Sequence, residues 1–192
     1  MRIPYVANPP PTATPEDADI VARIQARRAP RPLIPLDLAL LHSPPLADGW
    51  NAFLGAVRTR GTLPTAVREL LVCRVAAVNK AWHEWDAHAP LSGLSEAALE
   101  VVGCEDIDGE GVEERGKGLL GEDLWAALRY ADEMTRKVEV ADGTFETLRG
   151  FFDERGLVEI TTTVACYNCV SRFLVALNVG ERNGTGPGGA KK

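Results

Sequence analysis

The stretch from Leu157 to Val179 is the feature of this sequence that most constrains the fold. It contains neither glycine nor proline and is largely apolar. Its residues 160–164 are all β-branched and by themselves would suit a strand. No other segment offers a partner strand, however, and a run of this length favours one long buried helix. We therefore predict an all-α fold that contains this helix.

Prolines and glycines mark the boundaries of the other predicted helices. Proline is well placed in the first turn of a helix, and glycine is common just past the end. Residues 106–121 are rich in glycine and acidic side chains and are predicted to form a surface loop. Pro90 should end the helix before it near Ala89. Four predicted helices begin near Pro15, Pro44, Leu63 and Ser95. Two more cover residues 122–138 and 142–155, and Gly156 closes the second of these.

Composition limits the classes of function. The 192 residues include 21 basic and 27 acidic side chains, a net charge of −6, which argues against a nucleic-acid-binding protein. No apolar run reaches the ~18 residues of a transmembrane helix, and the N-terminus lacks the apolar core of a secretory signal. Four cysteines are too few for a disulfide scaffold. We predict a cytoplasmic protein that acts on a small molecule, with no nucleic-acid or membrane partner.

The two ends of the chain differ from the middle. Residues 1–15 are rich in proline and are predicted to form an extended arm, one that can lie on a partner subunit. Residues 180–192 are rich in glycine and are predicted to form a flexible tail. The single helical domain is expected between them, over residues 16–179.

Three side chains suggest acid/base chemistry. Glu84 and His88 are four residues apart, so both project from one face of a helix. Glu69 lies on the preceding helix beside small residues such as Cys73, which leave room for a cavity. If the two helices pack, two carboxylates and an imidazole converge, and such a group can transfer protons. Spacing alone leaves another interpretation open, because Glu–His pairs are also common on solvated helix faces.

Several neighbouring side chains, Cys73 among them, are candidates for binding a substrate. Trp82, His83 and Trp85 flank the acid/base pair, although such tryptophans are more often core residues. A metal site is not expected, because zinc needs about four ligands and no second Cys/His pair at metal spacing is present.

The order of these motifs resembles the carboxymuconolactone decarboxylase family, within the alkylhydroperoxidase-D-like (AhpD-like) superfamily. The matching motifs are Arg68-Glu69-Leu70, the Trp-x-Glu-Trp-x-x-His run that ends at His88, and Tyr167-Asn168 before Arg172. The resemblance covers roughly residues 47–179. It implies an AhpD-like helical bundle that assembles into trimers or dimers of trimers, and it adds Tyr167 to the expected substrate-binding residues.

Peroxidase members of that superfamily carry a Cys-x-x-Cys motif between the glutamate and the histidine. Counted from Glu69, those two positions are Ala81 and Glu84 in this chain, and the histidine is His88. Peroxide reduction by that thiol route is therefore not expected. The glutamate at the second position is similar to the decarboxylase type, so Glu69, Glu84 and His88 are assigned as the catalytic residues.

The leading hypothesis is a lyase or isomerase that works without a cofactor on a small carboxylated lactone or keto compound. In it, His88 stabilises an oxyanion and donates a proton when it is protonated, and Glu84 is the second acid/base group. Glu69 either holds His88 in one tautomer or relays the proton. One alternative is a dithiol-dependent hydroperoxide reductase that uses Cys166 and Cys169. Another is an oligomer that binds a ligand without converting it. The sequence does not name the substrate or the pathway.

Overall fold

The computed structural model describes residues 1–189, and over this range the protein is built of helices with no strand. The predicted all-α fold is thus confirmed. The ten α-helices are α1 Pro15–Arg28, α2 Pro35–Leu40, α3 Pro44–Thr59, α4 Thr65–Val78, α5 Trp82–His88, α6 Glu96–Gly103, α7 Val112–Leu120, α8 Glu122–Lys137, α9 Asp142–Arg149 and α10 Glu154–Leu177.

Helix α4 lies at the centre of the bundle. Its apolar side chains from Leu70 to Ala76 are completely buried, and it packs against α5, α6, α8 and α10. A helix that is apolar on every side must be surrounded by other helices, because no face can be left to water. Its position matters for function, since α4 also carries Glu69.

Helix α10 is the long helix that the sequence predicts. It starts after Asp153, whose carboxylate accepts the Gly156 N–H at 2.8 Å, and it packs against α3, α4 and α8. Its threonines fit a helix because their hydroxyls donate to carbonyls one turn back, as Thr163 does to Glu159 at 2.7 Å. By length and composition α10 would also suit a membrane span, which is common for a core helix of a soluble bundle.

Two local predictions were wrong. The helix expected over 142–155 ends at Arg149, and Gly156 lies inside the first turn of α10 because Asp153 caps that helix. The loop expected over 106–121 contains α7. Its Gly116 is needed for packing, since a Cβ atom there would lie 2.2 Å from the ring of Trp125.

The two ends of the chain lie together on the helical body. The Met1 amino group and the Tyr5 hydroxyl contact Glu181, and the Arg2 N–H donates to the Leu177 carbonyl at 2.7 Å. The proline-rich arm therefore packs on its own chain.

Residues 180–189 of the predicted flexible tail are folded against α5, because Arg182 and the Gly188 N–H both bind Asp86. Gly180 lets the backbone pack closely on His83, since a Cβ atom at this position would lie 2.2 Å from the His83 ring. Its role here is packing and not chain flexibility. Residues 190–192 of that prediction lie outside the described residues.

A buried ion pair joins α4 to α8. Arg74 is completely buried; its Nε donates to Asp132 at 3.0 Å and its Nη1 donates to the carbonyls of Val102 and Cys104 at 2.8 and 2.7 Å. Because all four of its hydrogen bonds have partners on other segments, the guanidinium ties α4, α6 and α8 into one unit.

Candidate active site

The site forms where α5 and α4 meet α10. Helix α5 has only two turns and ends at His88, as Pro90 predicts, and a 3₁₀ turn over Ala89–Leu91 follows. Glu84 and His88 are both buried and both face α10. Glu84 accepts a hydrogen bond from Ser171 at 2.9 Å, and one turn earlier the Tyr167 ring lies edge-on to His88 at 5.2 Å.

Glu69 and His88 form a close pair. The His88 Nδ1 and the Glu69 Oε2 are 2.6 Å apart, so Nδ1 carries the proton that this bond requires. The other carboxylate oxygen of Glu69 accepts from Arg68 at 3.2 Å. On the far side of the imidazole, Nε2 lies 3.4 Å from Nη2 of Arg58. The predicted convergence of α4 and α5 is therefore present in the structure, and Nε2 is left with its lone pair.

The pair favours a neutral imidazole beside an ionised carboxylate. Burial lowers the pKa of His88 against the opposing effect of the Glu69 hydrogen bond, and the Arg58 charge lowers this pKa further. Burial alone would raise the pKa of Glu69, but the hydrogen bond and charge of His88, together with Arg68, lower it overall. Near neutral pH His88 is thus better suited to accept a proton than to donate one. This differs from the protonated histidine expected from the sequence, and desolvation is the reason.

Glu84 has the opposite character. It is only 2% exposed, and burial raises its pKa well above the ordinary value, against the smaller effects of Ser171 and Arg58. Its Oε1 accepts the Ser171 hydroxyl, whereas Oε2 is buried and has no hydrogen-bond partner among the described residues. A neutral carboxylic acid with one free oxygen is able to donate its proton to a substrate.

Cys73 and Tyr167 border the same place. Burial and the charges of Glu69 and Glu84 raise the pKa of the Cys73 thiol, so Cys73 lies within the field of both carboxylates. The Tyr167 hydroxyl accepts Nε of Arg58 at 2.7 Å, and burial raises the Tyr167 pKa to about 12. Cys73 and Tyr167, two of the five expected substrate-binding residues, therefore lie near Glu69, Glu84 and His88.

The other three expected binding residues point elsewhere. Trp82 and Trp85 are buried and contact each other edge-to-face at 6.3 Å between ring centres, and Trp85 also packs on Gly103. His83 lies beneath Gly180, among the charges of Asp86, Arg182 and Glu181. The tryptophans serve the core, and His83 contacts the C-terminal segment. Their binding roles stay untested predictions.

Sequence reasoning missed Arg58 and Ser171. The family pattern directed attention to Arg172, but that side chain is exposed and bonds to Asn168 on its own helix. Arg58 instead supplies the guanidinium, from α3. No local motif announces it, because its partner Tyr167 is 109 residues away.

Cys166 and Cys169, the candidate dithiol, lie in two different environments. Cys166 is buried, and desolvation raises its pKa to about 12, whereas Cys169 is exposed. A reactive dithiol needs a stabilised thiolate, which Cys166 does not provide. Among the described residues, no group of three or more His, Cys, Asp or Glu is placed to hold a metal ion.

Arg58 also lines a cleft. It has a volume of about 320 Å³ and is lined by residues of α1, α2 and α3 and of the α1–α2 connection. The sequence predicts a cavity beside the small residues of α4, but Ala76 and Ala77 are packed into the core.

The helical fold is similar to that of AhpD-like proteins of known structure. The alkylhydroperoxidase AhpD core protein from Ralstonia eutropha JMP134 is 19% identical with a TM-score of 0.67, covering 93% of this chain and 90% of its own. An AhpD-type antioxidant defence protein of unknown function from Agrobacterium tumefaciens is 25% identical with a TM-score of 0.61, covering 71% of this chain and 90% of its own. The debrominase Bmp8 is 14% identical with a TM-score of 0.65, and the coverages are 86% and 85%.

Residues 44–105 match the carboxymuconolactone decarboxylase family. The resemblance to this family and its AhpD-like superfamily is therefore confirmed. The matched region runs from α3 to α6 and contains Arg58, Glu69, Glu84 and His88. No curated protein sequence matches the chain.

Proposed function

We propose that this protein is an acid/base enzyme that needs no cofactor and acts on a small carboxylated lactone or keto compound. The reaction is a decarboxylation, an isomerisation or a related proton transfer. One observation carries the proposal: Glu84 and His88 are buried one turn apart, and their environments push the two pKa values in opposite directions. A neutral acid beside a neutral base is the arrangement that such chemistry requires.

The geometry supports a division of roles. Nε2 of His88 accepts a proton from the carbon next to a carbonyl, while Glu69 stabilises the imidazolium that forms. Arg58 lies beside Nε2 and donates to the enolate oxygen that develops. Glu84 then delivers its proton to a second carbon. The proton held by His88 passes to the Glu84 carboxylate, and both groups regain their starting protonation. The net reaction is an isomerisation.

Decarboxylation uses the same groups in a shorter sequence. The C–C bond to the carboxylate breaks, CO₂ leaves, and the electron pair of that bond passes to the enolate. Arg58 stabilises the enolate oxygen, and Glu84 protonates the carbon; water restores the Glu84 proton. His88 then serves as a hydrogen-bond partner and not as a base.

The comparisons support an enzyme with a small organic substrate. A variant of the debrominase that shares the fold is described in complex with 2,3,4-tribromopyrrole. Other neighbours are peroxidase-related, but here Ala81 and Glu84 occupy the thiol positions of that chemistry.

The test is turnover of a panel of carboxylated γ-lactones and β-keto acids by the wild type and by Glu84→Gln. Gln keeps the shape and the Ser171 bond but carries no transferable proton, so we expect kcat to fall about 10²-fold or more. Glu114→Gln, on the exposed face of α7, is the matched control and should retain wild-type turnover. An active Glu84→Gln variant would remove Glu84 from the mechanism.

The pH dependence of kcat/KM tests the role of His88 as the base. Glu69→Gln removes a charge that raises the His88 pKa, so the acidic limb of kcat/KM should move to lower pH. If the panel binds without any product, the protein is a ligand-binding oligomer instead of an enzyme.

The homo-oligomer and the cytoplasmic location also belong to the proposal. Apolar side chains on α3 and α10 support assembly, since Phe53 is 47% exposed and Val158 is 65% exposed beside one shared groove. The molar mass in solution, measured by light scattering, distinguishes a monomer from a trimer or a dimer of trimers.

A further inference from the structure

The cleft that Arg58 lines has an unusual charge. Four arginines line it, namely Arg27, Arg28, Arg31 and Arg58, together with a single carboxylate, that of Asp37. The whole chain carries a net charge of −6, so this concentration of positive charge is local. Burial and the neighbouring Arg28 and Arg58 charges lower the pKa of Arg27, which indicates that the guanidiniums repel one another. Such repulsion is relieved when an anion binds.

The one acidic residue holds part of the cleft in place without neutralising it. Asp37 is buried and accepts Nε and Nη2 of Arg28 at 2.7 and 2.9 Å, as well as the Ile34 N–H at 3.0 Å. Arg28 is therefore fixed by a two-pronged contact. Arg27 makes only a longer contact to Asp37, at 3.3 Å. Among the described residues, Arg31 forms no ion pair.

Two buried polar atoms in the lining also lack partners. The Trp50 Nε1 and the Asn51 Oδ1 make no hydrogen bond within the part of the chain that the structure describes. A buried donor without an acceptor is costly, so it is uncommon outside functional sites. The indole N–H is a donor only, and a ligand oxygen is the partner that satisfies it.

The cleft also has a fixed relation to the acid/base groups. Arg58 lines the cleft, and the same guanidinium lies 3.4 Å from His88 and 2.7 Å from the Tyr167 hydroxyl. The other three arginines lie on α1 and just after it, outside the region that matches the family. The N-terminal helices thus add positive charge to the cleft that Arg58 lines.

We propose that this cleft is an oxyanion subsite, which binds a terminal carboxylate or phosphate of an elongated substrate while the reacting end lies at His88. Guanidinium forks recognise both of these groups through paired N–H donors. A volume of about 320 Å³ is sufficient for a small organic anion. The inference rests on the proposed function and adds to it, because it states what the far end of the substrate must carry.

The experiment measures binding of inorganic phosphate, succinate and acetate to the purified full-length protein by calorimetry at low ionic strength. We expect phosphate or succinate to bind at least about tenfold more tightly than acetate, because a dianion meets more of the arginines. Preference for phosphate identifies a phosphorylated substrate, and preference for succinate identifies a second carboxylate. Equal, weak binding of all three overturns the proposal.

Two arginine variants test whether the anion binds in this cleft. Arg31→Gln should weaken binding of the preferred anion about tenfold or more. Arg23→Gln removes the same charge from the exposed side of α1, where Arg23 pairs with Asp48, and should leave the affinity nearly unchanged. Equal losses in the two variants mean that only net charge matters, and the subsite is then excluded. Thermal unfolding of both variants checks that they are folded.

A spectroscopic readout separates this inference from the catalytic proposal. The indole N–H resonance of Trp50, assigned with Trp50→Phe, should shift on saturation with the preferred anion. None of these anions reacts, so the result does not depend on the roles of Glu84 and His88. Inactive enzyme with intact anion binding would overturn only the catalytic proposal, and an unmoved resonance would overturn only the subsite.

Discussion

The buried Glu84 should make the protein less stable as the pH rises. In the unfolded chain this carboxyl ionises near its ordinary pKa of 4.5, whereas burial holds it protonated in the folded state to well above that value. Between the two pKa values the folded state binds one more proton than the unfolded state. The free energy of unfolding therefore decreases by about 1.4 kcal/mol for each pH unit in this interval.

Glu84→Gln removes this dependence. Glutamine is neutral at every pH, has nearly the same shape, and its carbonyl oxygen can still accept the Ser171 hydroxyl. For a chain of this length, about 1.4 kcal/mol corresponds to a change in Tm of roughly 3–5 °C. We expect the Tm of Glu84→Gln to rise above that of the wild type by this amount per pH unit, starting above pH 4.5.

The assay is thermal unfolding followed by circular dichroism from pH 5 to pH 8 at constant ionic strength. Other groups titrate in this range, notably His88, so the difference between the two profiles is the quantity that isolates Glu84. Glu114→Gln changes an exposed side chain, and its profile should run parallel to that of the wild type. If the Glu84→Gln profile is parallel as well, Glu84 is ionised in the folded protein, and it cannot be the acid.

Two further predictions concern other buried groups. Arg74→Met leaves the Val102 and Cys104 carbonyls without their donor, whereas Asp132 keeps its pair with Arg136. The free energy of unfolding should therefore fall by about 1–3 kcal/mol; urea titration measures this, and an unchanged free energy would contradict the structural role of Arg74. Because Cys166 has a pKa of about 12, dithiol-dependent hydroperoxide reduction should be absent, and the double variant Cys166→Ser, Cys169→Ser should behave like the wild type. Activity that disappears in this variant would restore the redox hypothesis.

The sequence alone determined the helical fold and the candidates for acid/base chemistry. The length of the run from Leu157, the prolines at helix starts and the four-residue spacing of Glu84 and His88 are local properties, and local properties follow from backbone geometry. The same reasoning was wrong over residues 106–121 and 180–189. Both segments are rich in glycine, and there glycine permits close packing against Trp125 and His83.

Only the tertiary structure decided what surrounds those residues. Arg58, Ser171 and Tyr167 come to the site from helices far away in the chain, and no spacing rule connects them to Glu84 or His88. The expected protonation also changed, because burial lowers the pKa of the histidine that the leading hypothesis has protonated. Spacing specifies which side chains share a face of one helix, whereas the pKa of a group depends on the solvent that packing removes and the charges that packing brings near.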